Sequence, residues 1–580
     1  MTALALLSAP MAVRASAAET VTISASRTSM TFGQTATFTG RIQGAAACVG
    51  GREVKLAWRA DDADPWAVVA ASSTHSDGTF SFDNGQDYTG RFRAQFPSTG
   101  SCSFAASKGV AVKVHALVDV AVIAGSLEAG SCVDVDVDVS PVKAGQQVEL
   151  QRRIAGSWST FDAVALDGAS TAHASPCFGW EDLGVVRLRA RWRVQDGLND
   201  AGTSTAVVFE IERAAWMTAI DDAIDRHAVS VAVADAGDAM YAHAAAAPRI
   251  PASNEKLLLS MALLERFGPD HRIPTIAATA DLDGGVVRGD LWILGRGDPE
   301  IRPARLGALA EQLRDAGVTR VRGRVMGATT YFRHDWWAPG WKRHITRRYV
   351  ALPSALTYHH NVVGGREIRD PERRAAESLT KQLEGRGIRV RGRPGDGAPP
   401  PGLAPIAEIR SRPMSTLLAA MDRPSDNYYA EVLGKALGAA RAGPPGTIAK
   451  ASNAIEAFTA SHGVDFPLFD SSGLSYDNRV TAEGIVTLLT VAAGASWGNP
   501  LRRALATGGQ GTLEDRLRDV RVRAKTGTLD GVSALSGWVR LEREDRWVEF
   551  SILSSGMSKT TAVRIEDKIV HVLANRATAA

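Results

Sequence analysis

The sequence has almost no excess charge and no long apolar run beyond its N-terminus. Its 580 residues carry 66 Lys and Arg against 63 Asp and Glu, a formal net charge of +3. This balance gives no support for a nucleic-acid partner, and we expect none. After residue 18, no window reaches the roughly 18 apolar residues that span a bilayer, so we expect no further transmembrane segment. The length predicts about three or four domains.

Cysteine is absent from the last two thirds of the chain. The four cysteines are Cys48, Cys102, Cys132 and Cys177. Their even number, their wide spacing and the lack of a CxxC motif favour two disulfides over a metal site. We expect the pairs Cys48–Cys102 and Cys132–Cys177, although two other connectivities are formally possible. Disulfides favour a location outside the cytoplasm.

The first 18 residues have the composition of an export signal. They are small and apolar, and Ala15-Ser16-Ala17-Ala18 has the A-x-A form of a cleavage site. No Lys or Arg precedes Arg14, so the usual positive segment is missing. We interpret residues 1–18 as a signal peptide rather than a disordered tail, and expect a secreted protein of the periplasm or cell wall.

Residues 19–115 and 116–212 predict two tandem β-sandwiches. Short runs of alternating polarity are separated by turn residues, and each unit of about a hundred residues holds one cysteine pair. They resemble bacterial immunoglobulin-like modules. The alternating run 133–138 (Val-Asp-Val-Asp-Val-Asp) is typical of a half-buried strand rather than a calcium loop, which would need a glycine turn and a distal Glu.

From residue 213 the pattern changes to mixed helix and strand. Two strands come early, three come late and helices lie at both ends, which predicts an antiparallel sheet covered by the terminal helices. We assign residues 213–279 and 405–580 to this α/β domain, and residues 280–404 to an inserted α/β subdomain. A Pro/Gly-rich linker is expected at 395–405.

Ser253 and Lys256 lie three residues apart at the start of a Leu-rich helix. This spacing puts both side chains on one helix face, and Pro251 places the helix start near Ser253. A hydroxyl at the positive end of a helix, beside an amine, is how a serine is activated without histidine.

Two more motifs follow in order. Ser425-Asp426-Asn427 lies between two predicted helices, and Lys525-Thr526-Gly527-Thr528 lies at a predicted strand edge. S-x-x-K followed by S-D-N and K-T-G is the signature set of penicillin-binding proteins and class A β-lactamases.

Each motif residue has a physical role to match. Ser253 would be acylated and Lys256 would take its proton, which requires a pKa lowered by burial and by a cation such as Lys525. Ser425 would relay the proton to the leaving amine, and Asn427 would bind a substrate carbonyl or steady Lys256. On the strand, Lys525, Thr526 and Thr528 would bind a substrate carboxylate, and Gly527 would let the substrate approach closely. The backbone N–H groups of Ser253 and Thr528 would form the oxyanion hole.

The region 213–580 resembles the D-alanyl-D-alanine carboxypeptidase/endopeptidase family of class C low-molecular-mass penicillin-binding proteins, peptidase family S13. Further segments carry this resemblance: Gly295-Arg296-Gly297-Asp298-Pro299, Ala430-Glu431, the 470–475 segment with Asp477-Asn478-Arg479, and Gly511-Thr512-Leu513. The resemblance implies a penicillin-recognising fold, D-Ala release from peptidoglycan stem peptides, cleavage of cross-links in many members, and acylation by β-lactams.

The sequence departs from the family pattern in two ways. Glu255 is an unexpected charge inside S-x-x-K, and its helical position predicts a surface or salt-bridge role. The insertion also looks short around His359 to Pro371, which affects substrate access.

Alternative functions are a β-lactamase or esterase on the same fold, and an inert wall-binding protein. Ser425 and Asn427 are also common helix caps, but the ordered set favours catalysis. His359-His360 lacks further ligands at metal spacing, so we expect no metal and no cofactor.

Overall fold

The computed structural model describes residues 19–122, 126–345, 349–542 and 544–575. The chain divides into two units after Glu212. The signal peptide expected at 1–18 lies outside the described residues. None of the helices in these ranges combines the length and the apolar composition needed to cross a membrane.

The first unit begins with a β-sandwich whose two sheets follow the orders β1-β3-β6 and β2-β9-β7-β4-β5, with β8 paired to β7. Inward-facing aromatic residues fill the space between the sheets, among them Phe38, Phe92 and Phe96. A 3₁₀ turn at Ala46–Cys48 carries one cysteine. The strands are β1 (Thr20–Ala25), β2 (Ser29–Thr31), β3 (Ala36–Gln43), β4 (Glu53–Arg59), β5 (Ala67–Ser73), β6 (Thr79–Asn84), β7 (Gly90–Phe96), β8 (Ala105–Ala106) and β9 (Val110–His115).

A second sandwich repeats this plan with the sheet orders β10-β13-β16 and β11-β20-β18-β14-β15. Strand β19 pairs β18, and β12 pairs β17. The strands are β10 (Leu117–Val122), β11 (Ser126–Glu128), β12 (Ser131–Cys132), β13 (Val135–Ser140), β14 (Gln147–Ile154), β15 (Ser157–Ala165), β16 (Thr171–Ala174), β17 (Cys177–Phe178), β18 (Gly184–Trp192), β19 (Gly202–Thr203) and β20 (Val207–Glu212), with a 3₁₀ turn at Trp180–Asp182.

The cysteines and the Val-Asp run behave as the sequence predicts. Both disulfides form within one sandwich each, Cys48–Cys102 and Cys132–Cys177. On β13 the valines are buried and the aspartates are exposed. The run is therefore a half-buried strand, because one sheet face meets the core and the other meets water.

The second unit starts with a helix, two antiparallel strands and a second, buried helix. These are α1 (Ala215–Ile224), β21 (Val229–Asp235), β22 (Asp238–His243) and, after a 3₁₀ turn at Ala252–Asn254, α2 (Glu255–Phe267). Every residue of α2 from Glu255 to Leu264 is buried. A helical segment that is buried on all sides lies at the centre of its domain, and this part of α2 packs between the sheet and the other helices.

The inserted subdomain follows α2. Its five-stranded sheet has the order β32-β28-β26-β23-β33, beside a four-stranded sheet β24-β25-β27-β31 and the hairpin β29-β30. Helices α3 (Pro303–Asp315) and α4 (Pro371–Glu384) share its apolar core. The strands are β23 (Pro274–Thr279), β24 (Leu282–Asp283), β25 (Val286–Val287), β26 (Leu291–Leu294), β27 (Arg320–Val321), β28 (Val325–Ala328), β29 (Val362–Val363), β30 (Arg366–Glu367), β31 (Arg389–Val390), β32 (Gly395–Gly397) and β33 (Ala404–Arg410), with a 3₁₀ turn at His359–Asn361.

The Pro/Gly-rich linker expected at 395–405 is a wrong prediction. Gly395–Gly397 pairs with Met326–Ala328, and Ala404–Arg410 pairs with Pro274–Thr279. The backbone forms these ladders, so the composition of the side chains gave no sign of them. The sheet therefore extends past residues 280 and 404.

The remaining elements complete the five-stranded antiparallel sheet, whose order is β22-β21-β36-β35-β34. Strand β34 is thus an edge strand, and α1 and α10 pack together beside the sheet. This is the predicted arrangement. The elements are α5 (Met414–Asp422), α6 (Asn427–Ala442), α7 (Ile448–Ser461), α8 (Ala482–Gly494), α9 (Gly498–Ala504), β34 (Val522–Leu529), β35 (Val532–Leu541), β36 (Arg546–Ser555) and α10 (Lys559–Asn575), with a 3₁₀ turn at Gly511–Leu513.

Candidate active site

Ser253 lies in a tight 3₁₀ turn immediately before α2. The preceding residue, Ala252, has a positive φ of 47°, a conformation that costs free energy for a residue with a side chain. The next residue, Asn254, is buried and donates from Nδ2 to Ser536 Oγ at 2.7 Å. The turn is therefore fixed to the sheet on one side, and Ser253 keeps a partly exposed side chain.

Two glycines let other segments approach this turn. A Cβ at Gly527 would lie 2.6 Å from the carbonyl oxygen of Pro251, and one at Gly473 would lie 1.9 Å from that of Ala252. Gly527 thus admits the nucleophile turn against β34. This contact is a second reason for a glycine here, beside the predicted close approach of the substrate.

Lys256 has no exposed surface, and its ammonium group has three hydrogen-bond acceptors. Nζ donates to Ser253 Oγ at 3.0 Å, to Asn427 Oδ1 at 2.7 Å and to the Ser472 carbonyl oxygen at 2.5 Å. Burial lowers the pKa of Lys256 to about 8, although the charges of Asp470 and Glu431 oppose this shift.

Ser425 and Asn427 approach from the short connection between α5 and α6. Ser425 has a positive φ of 62°, so this position is also strained. The helix cap is Asp426, whose carboxylate accepts a bond from the backbone N–H of Tyr429 at 3.0 Å. Ser425 and Asn427 are thus free of the capping role and face the lysines instead.

Lys525 lies inside the edge strand β34 and is fully buried. Its Nζ donates to Ser425 Oγ at 2.8 Å and to the Thr526 carbonyl oxygen at 2.9 Å. Burial lowers the pKa of Lys525, and the charge of Lys256 lowers it further. The buried carboxyl of Asp422, which accepts from Ser260 Oγ at 2.8 Å, interacts with both lysines.

The two threonines of the strand differ in their availability. Thr526 is buried and its hydroxyl donates to Thr512 Oγ1 at 2.7 Å. Thr528 is exposed on the same strand. A carboxylate only accepts hydrogen bonds, so Thr528 is the better donor for a substrate carboxylate.

A loop at 470–475 supplies contacts for which we predicted no role. Its Ser472 carbonyl accepts from Lys256, while the N–H groups of Ser471 and Ser472 donate to Glu431 Oε1 at 3.0 and 2.9 Å. The motif segments around Glu431, Asp470 and Thr512 were visible in the sequence. Their resemblance to the family motifs marks these segments as important, but the motifs do not indicate which atoms they contact.

The expectation that Glu255 lies at the surface is wrong. Its side chain is fully buried and accepts a hydrogen bond from Asn478 Nδ2. Burial raises the pKa of Glu255 well above its ordinary value, and the charges of Asp470 and Glu431 raise it further. Helical spacing does turn Glu255 away from Ser253, but α2 is buried on all sides from Glu255 to Leu264, so Glu255 has no solvent to face.

The structure therefore brings five predicted residues together in two hydrogen-bonded groups. Ser253 and Asn427 share Lys256, and Ser425 joins Lys525. The four cysteines belong to the other unit. The sequence profile of the D-Ala-D-Ala carboxypeptidase 3 (S13) family matches residues 216–367 and 361–576. The chain belongs to this family.

Individual relatives agree with the S13 assignment. The D-alanyl-D-alanine carboxypeptidase of Actinomadura sp. (strain R39) is 28% identical over 454 residues, which cover 62% of this chain and 83% of that protein. Carboxypeptidase DacB of Mycolicibacterium smegmatis is 30% identical over 371 residues, covering 57% of this chain and 77% of that protein. As a member of family S13, the chain is a serine-type D-Ala-D-Ala carboxypeptidase.

Solved structures show the same fold. Penicillin-binding protein 4 (dacB) of Haemophilus influenzae superposes with a TM-score of 0.54 at 19% identity, over 62% of this chain and 99% of that chain. A second structure of that protein, in complex with a β-lactam, gives a TM-score of 0.50 at 20% identity. The predicted class, an α/β penicillin-recognising domain after β-sandwiches, is confirmed.

Proposed function

We propose that the chain releases the terminal D-alanine of stem peptides through an acyl-enzyme on Ser253. The observation that supports this most directly is the 3.0 Å contact between Lys256 Nζ and Ser253 Oγ. An amine at this distance can take the hydroxyl proton as the oxygen attacks the substrate carbonyl.

The lysine geometry suits a general base. As an ammonium group, Lys256 uses all three of its protons on Ser253, Asn427 and Ser472. Loss of one proton leaves two N–H bonds for Asn427 and the Ser472 carbonyl, and turns the lone pair toward Ser253. The two retained bonds keep the base in position.

Substrate binding helps to distribute the protons between the two lysines. The peptide ends in a carboxylate, which favours a proton on Lys525 and hydrogen bonds from Thr528. A charged Lys525 in turn disfavours a charge on Lys256. Lys525 is buried, so it acts by its charge, and the exposed hydroxyl of Thr528 makes the contact.

Each bond made is balanced by one broken. Ser253 Oγ joins the carbonyl carbon as its proton passes to Lys256, and the N–H groups of Ser253 and Thr528 hold the oxyanion. The C–N bond then breaks as the proton reaches the leaving D-Ala amine through Ser425. Water hydrolyses the ester and restores Ser253. The same chemistry on a D-Ala–diaminopimelate cross-link would be an endopeptidase reaction.

Three further statements belong to this proposal. One statement is that β-lactams acylate Ser253; penicillin-binding protein 4 of Haemophilus influenzae, which has the same fold, forms a complex with a β-lactam. The protein works outside the cytoplasm, which two disulfides favour. The sandwiches span 19–115 and 116–212, the catalytic domain spans 213 to the C-terminus, and pairing of β23 with β33 gives 274–410 for the insertion.

Intact-protein mass spectrometry after penicillin treatment tests the site. We expect one adduct, mapped to the peptide that contains Ser253, and D-Ala release from a pentapeptide stem. Ser253→Ala should lose both, while Ser461→Ala, a change at an exposed serine of α7, should keep both.

Either of two results would contradict the proposal. One is an adduct and D-Ala release that survive Ser253→Ala. The other is rapid turnover of penicillin without a lasting adduct, which would indicate a β-lactamase.

A further inference from the structure

Three buried carboxyl groups lie near Lys256. They are Glu255 on α2, Glu431 on α6 and Asp470 at the start of the 470–475 loop. All three have 0% exposure. Burying several carboxylates together is costly unless each is paired or protonated.

The donors around the three groups are unequal. Asp470 Oδ2 accepts from Trp341 Nε1 at 2.7 Å and from the N–H of Leu474 at 2.9 Å, with further backbone donors at Gly473 and Ser475. Glu431 Oε1 accepts from two backbone N–H groups. Glu255 accepts from only one uncharged side chain, the amide of Asn478, among the residues that the structure describes.

That amide links two of the carboxyl groups. Asn478 Nδ2 donates both to Glu255 Oε2 and, at 2.9 Å, to Asp470 Oδ1. The shared amide holds the carboxyl groups of Glu255 and Asp470 next to each other, and Asp470 raises the pKa of Glu255. Two buried carboxylates with one uncharged amide between them repel each other, and a proton on one of the pair removes this repulsion and lets that carboxyl donate to the other.

The proton belongs to Glu255, because Asp470 accepts bonds from several N–H donors whereas, within the described ranges, Glu255 accepts none from the backbone. The groups that face Glu255 are Asp470 from the loop, Glu431 from α6 and Lys256 from its own helix. Two negative neighbours outweigh one lysine, and the raised pKa of Glu255 agrees.

The carboxyl groups reach the catalytic lysine through Ser472. Its N–H donates to Glu431 and its carbonyl accepts from Lys256. The next residue, Gly473, packs against the carbonyl of Ala252, directly before the nucleophile. Contacts that fix the 470–475 loop therefore also fix the Ser472 carbonyl, which orients Lys256.

We propose that Glu255 is a positioning residue which stays protonated in the working enzyme and, by bonding to Asp470, holds the Ser472 carbonyl against Lys256. Being uncharged, it does this without placing another negative charge beside the base. An ionised Glu255 would stabilise the ammonium form of Lys256 and slow acylation. This inference rests on the proposed role of Lys256 as the base.

The test uses Glu255→Gln and Glu255→Ala in the full-length chain. Gln copies a protonated Glu: its oxygen accepts from Asn478 and its amide donates to Asp470. For Glu255→Gln we expect the rate of acylation by a fluorescent penicillin to stay within about 3-fold of the wild-type rate. The pH at which this rate reaches half of its maximum should not change. Ala should lower the rate about 10- to 100-fold, because the loop loses its contact.

Infrared difference spectroscopy gives a readout that does not depend on activity. Wild type should show a protonated carboxyl C=O band that Glu255→Gln removes. Glu566→Gln is the matched control, because Glu566 is equally buried but is paired with Arg516 at 2.7 Å. That change should leave the band in place.

Several results would overturn the inference. An unchanged band in Glu255→Gln would, and so would a pH profile shifted by a whole unit or more toward acid, since that shows removal of a charge. Full activity of Glu255→Ala would refute positioning. If the wild-type enzyme is not acylated at Ser253, the proposed function is wrong, but the infrared band still shows whether Glu255 is protonated. If Glu255→Ala does not fold, Glu255→Gln still decides whether Glu255 carries a proton, through the infrared band and the pH profile.

Discussion

The two units of the molecule treat buried charge very differently. In the described part of the β-sandwich unit, the buried charged residues are Arg52 and Lys143. The catalytic unit buries many more of both signs. They are Glu255, Lys256, Asp298, Glu372, Asp422, Glu431, Lys435, Asp470, Lys525, Glu549 and Glu566.

Pairing also differs between the two units. Lys143 contacts Asp196 Oδ2 at 2.6 Å and Asn199 Oδ1 at 2.7 Å, and Arg52 contacts Glu19 at 2.6 Å. Near Ser253, by contrast, two lysines and four carboxyl groups are crowded together. Oxygens of Glu255, Glu431 and Asp422 lack a described hydrogen-bond partner. A buried charge with a partner of opposite sign has a structural role. Several ionisable groups buried close together instead shift the pKa values of one another toward the range that catalysis uses.

Removing the catalytic lysine should give the largest effect. Lys256→Met keeps the length of the side chain but supplies no base, so we expect acylation by penicillin to fall about 10³- to 10⁴-fold. Stopped-flow measurement with a fluorescent penicillin provides the rate. Lys450→Met, on the partly exposed surface of α7, should keep the wild-type rate. Equal losses of rate in both variants would contradict the role of Lys256 as the base.

Breaking the buried pair in the sandwiches should affect stability and spare catalysis. Lys143→Met leaves Asp196 and Asn199 without their cation, at a cost of about 3 kcal/mol in unfolding free energy. Urea unfolding of the full chain would measure it, with acylation assayed in the absence of urea. Lys55→Met is the control, because its pair with Glu53 is exposed at 3.6 Å and is worth under about 1 kcal/mol. A loss of acylation in Lys143→Met would contradict the contrast.

The two strand threonines should give the smallest and most selective effect. Thr528→Val removes an exposed donor to the substrate carboxylate, so we expect kcat/KM for the pentapeptide to fall about 10-fold. Thr526→Val, whose hydroxyl already bonds Thr512, should cost less. The reverse order, with Thr526 the more sensitive site, would show that the buried hydroxyl turns toward substrate.

Much of the architecture could be predicted because local patterns reported it. Alternation of Val and Asp identified β13, and the order of the three motifs placed Ser253, Ser425 and Lys525 in one site. The sheet order was also predictable, since two early and three late strands with terminal helices have few compact arrangements.

The rest depended on long-range packing. Glu255 was misplaced because helical spacing separates faces of one helix but does not reveal that both faces of α2 are interior. The Ser472 carbonyl left no signal, since every residue has a carbonyl and only the fold aims this one at Lys256. Strands Gly395–Gly397 and Ala404–Arg410 were missed because backbone pairing, and not side-chain pattern, forms them.

The central claim is that Lys256 works as a neutral amine, and the pH dependence of acylation tests it most directly. With a pKa of about 8, roughly a tenth of Lys256 is neutral at pH 7, and this fraction rises with pH. We predict that the acylation rate of the wild-type enzyme rises nearly tenfold from pH 6 to pH 7, reaches half of its maximum near pH 8 and levels off above about pH 9. A rate that is constant from pH 6 to 9, or that falls over this range, would contradict the account.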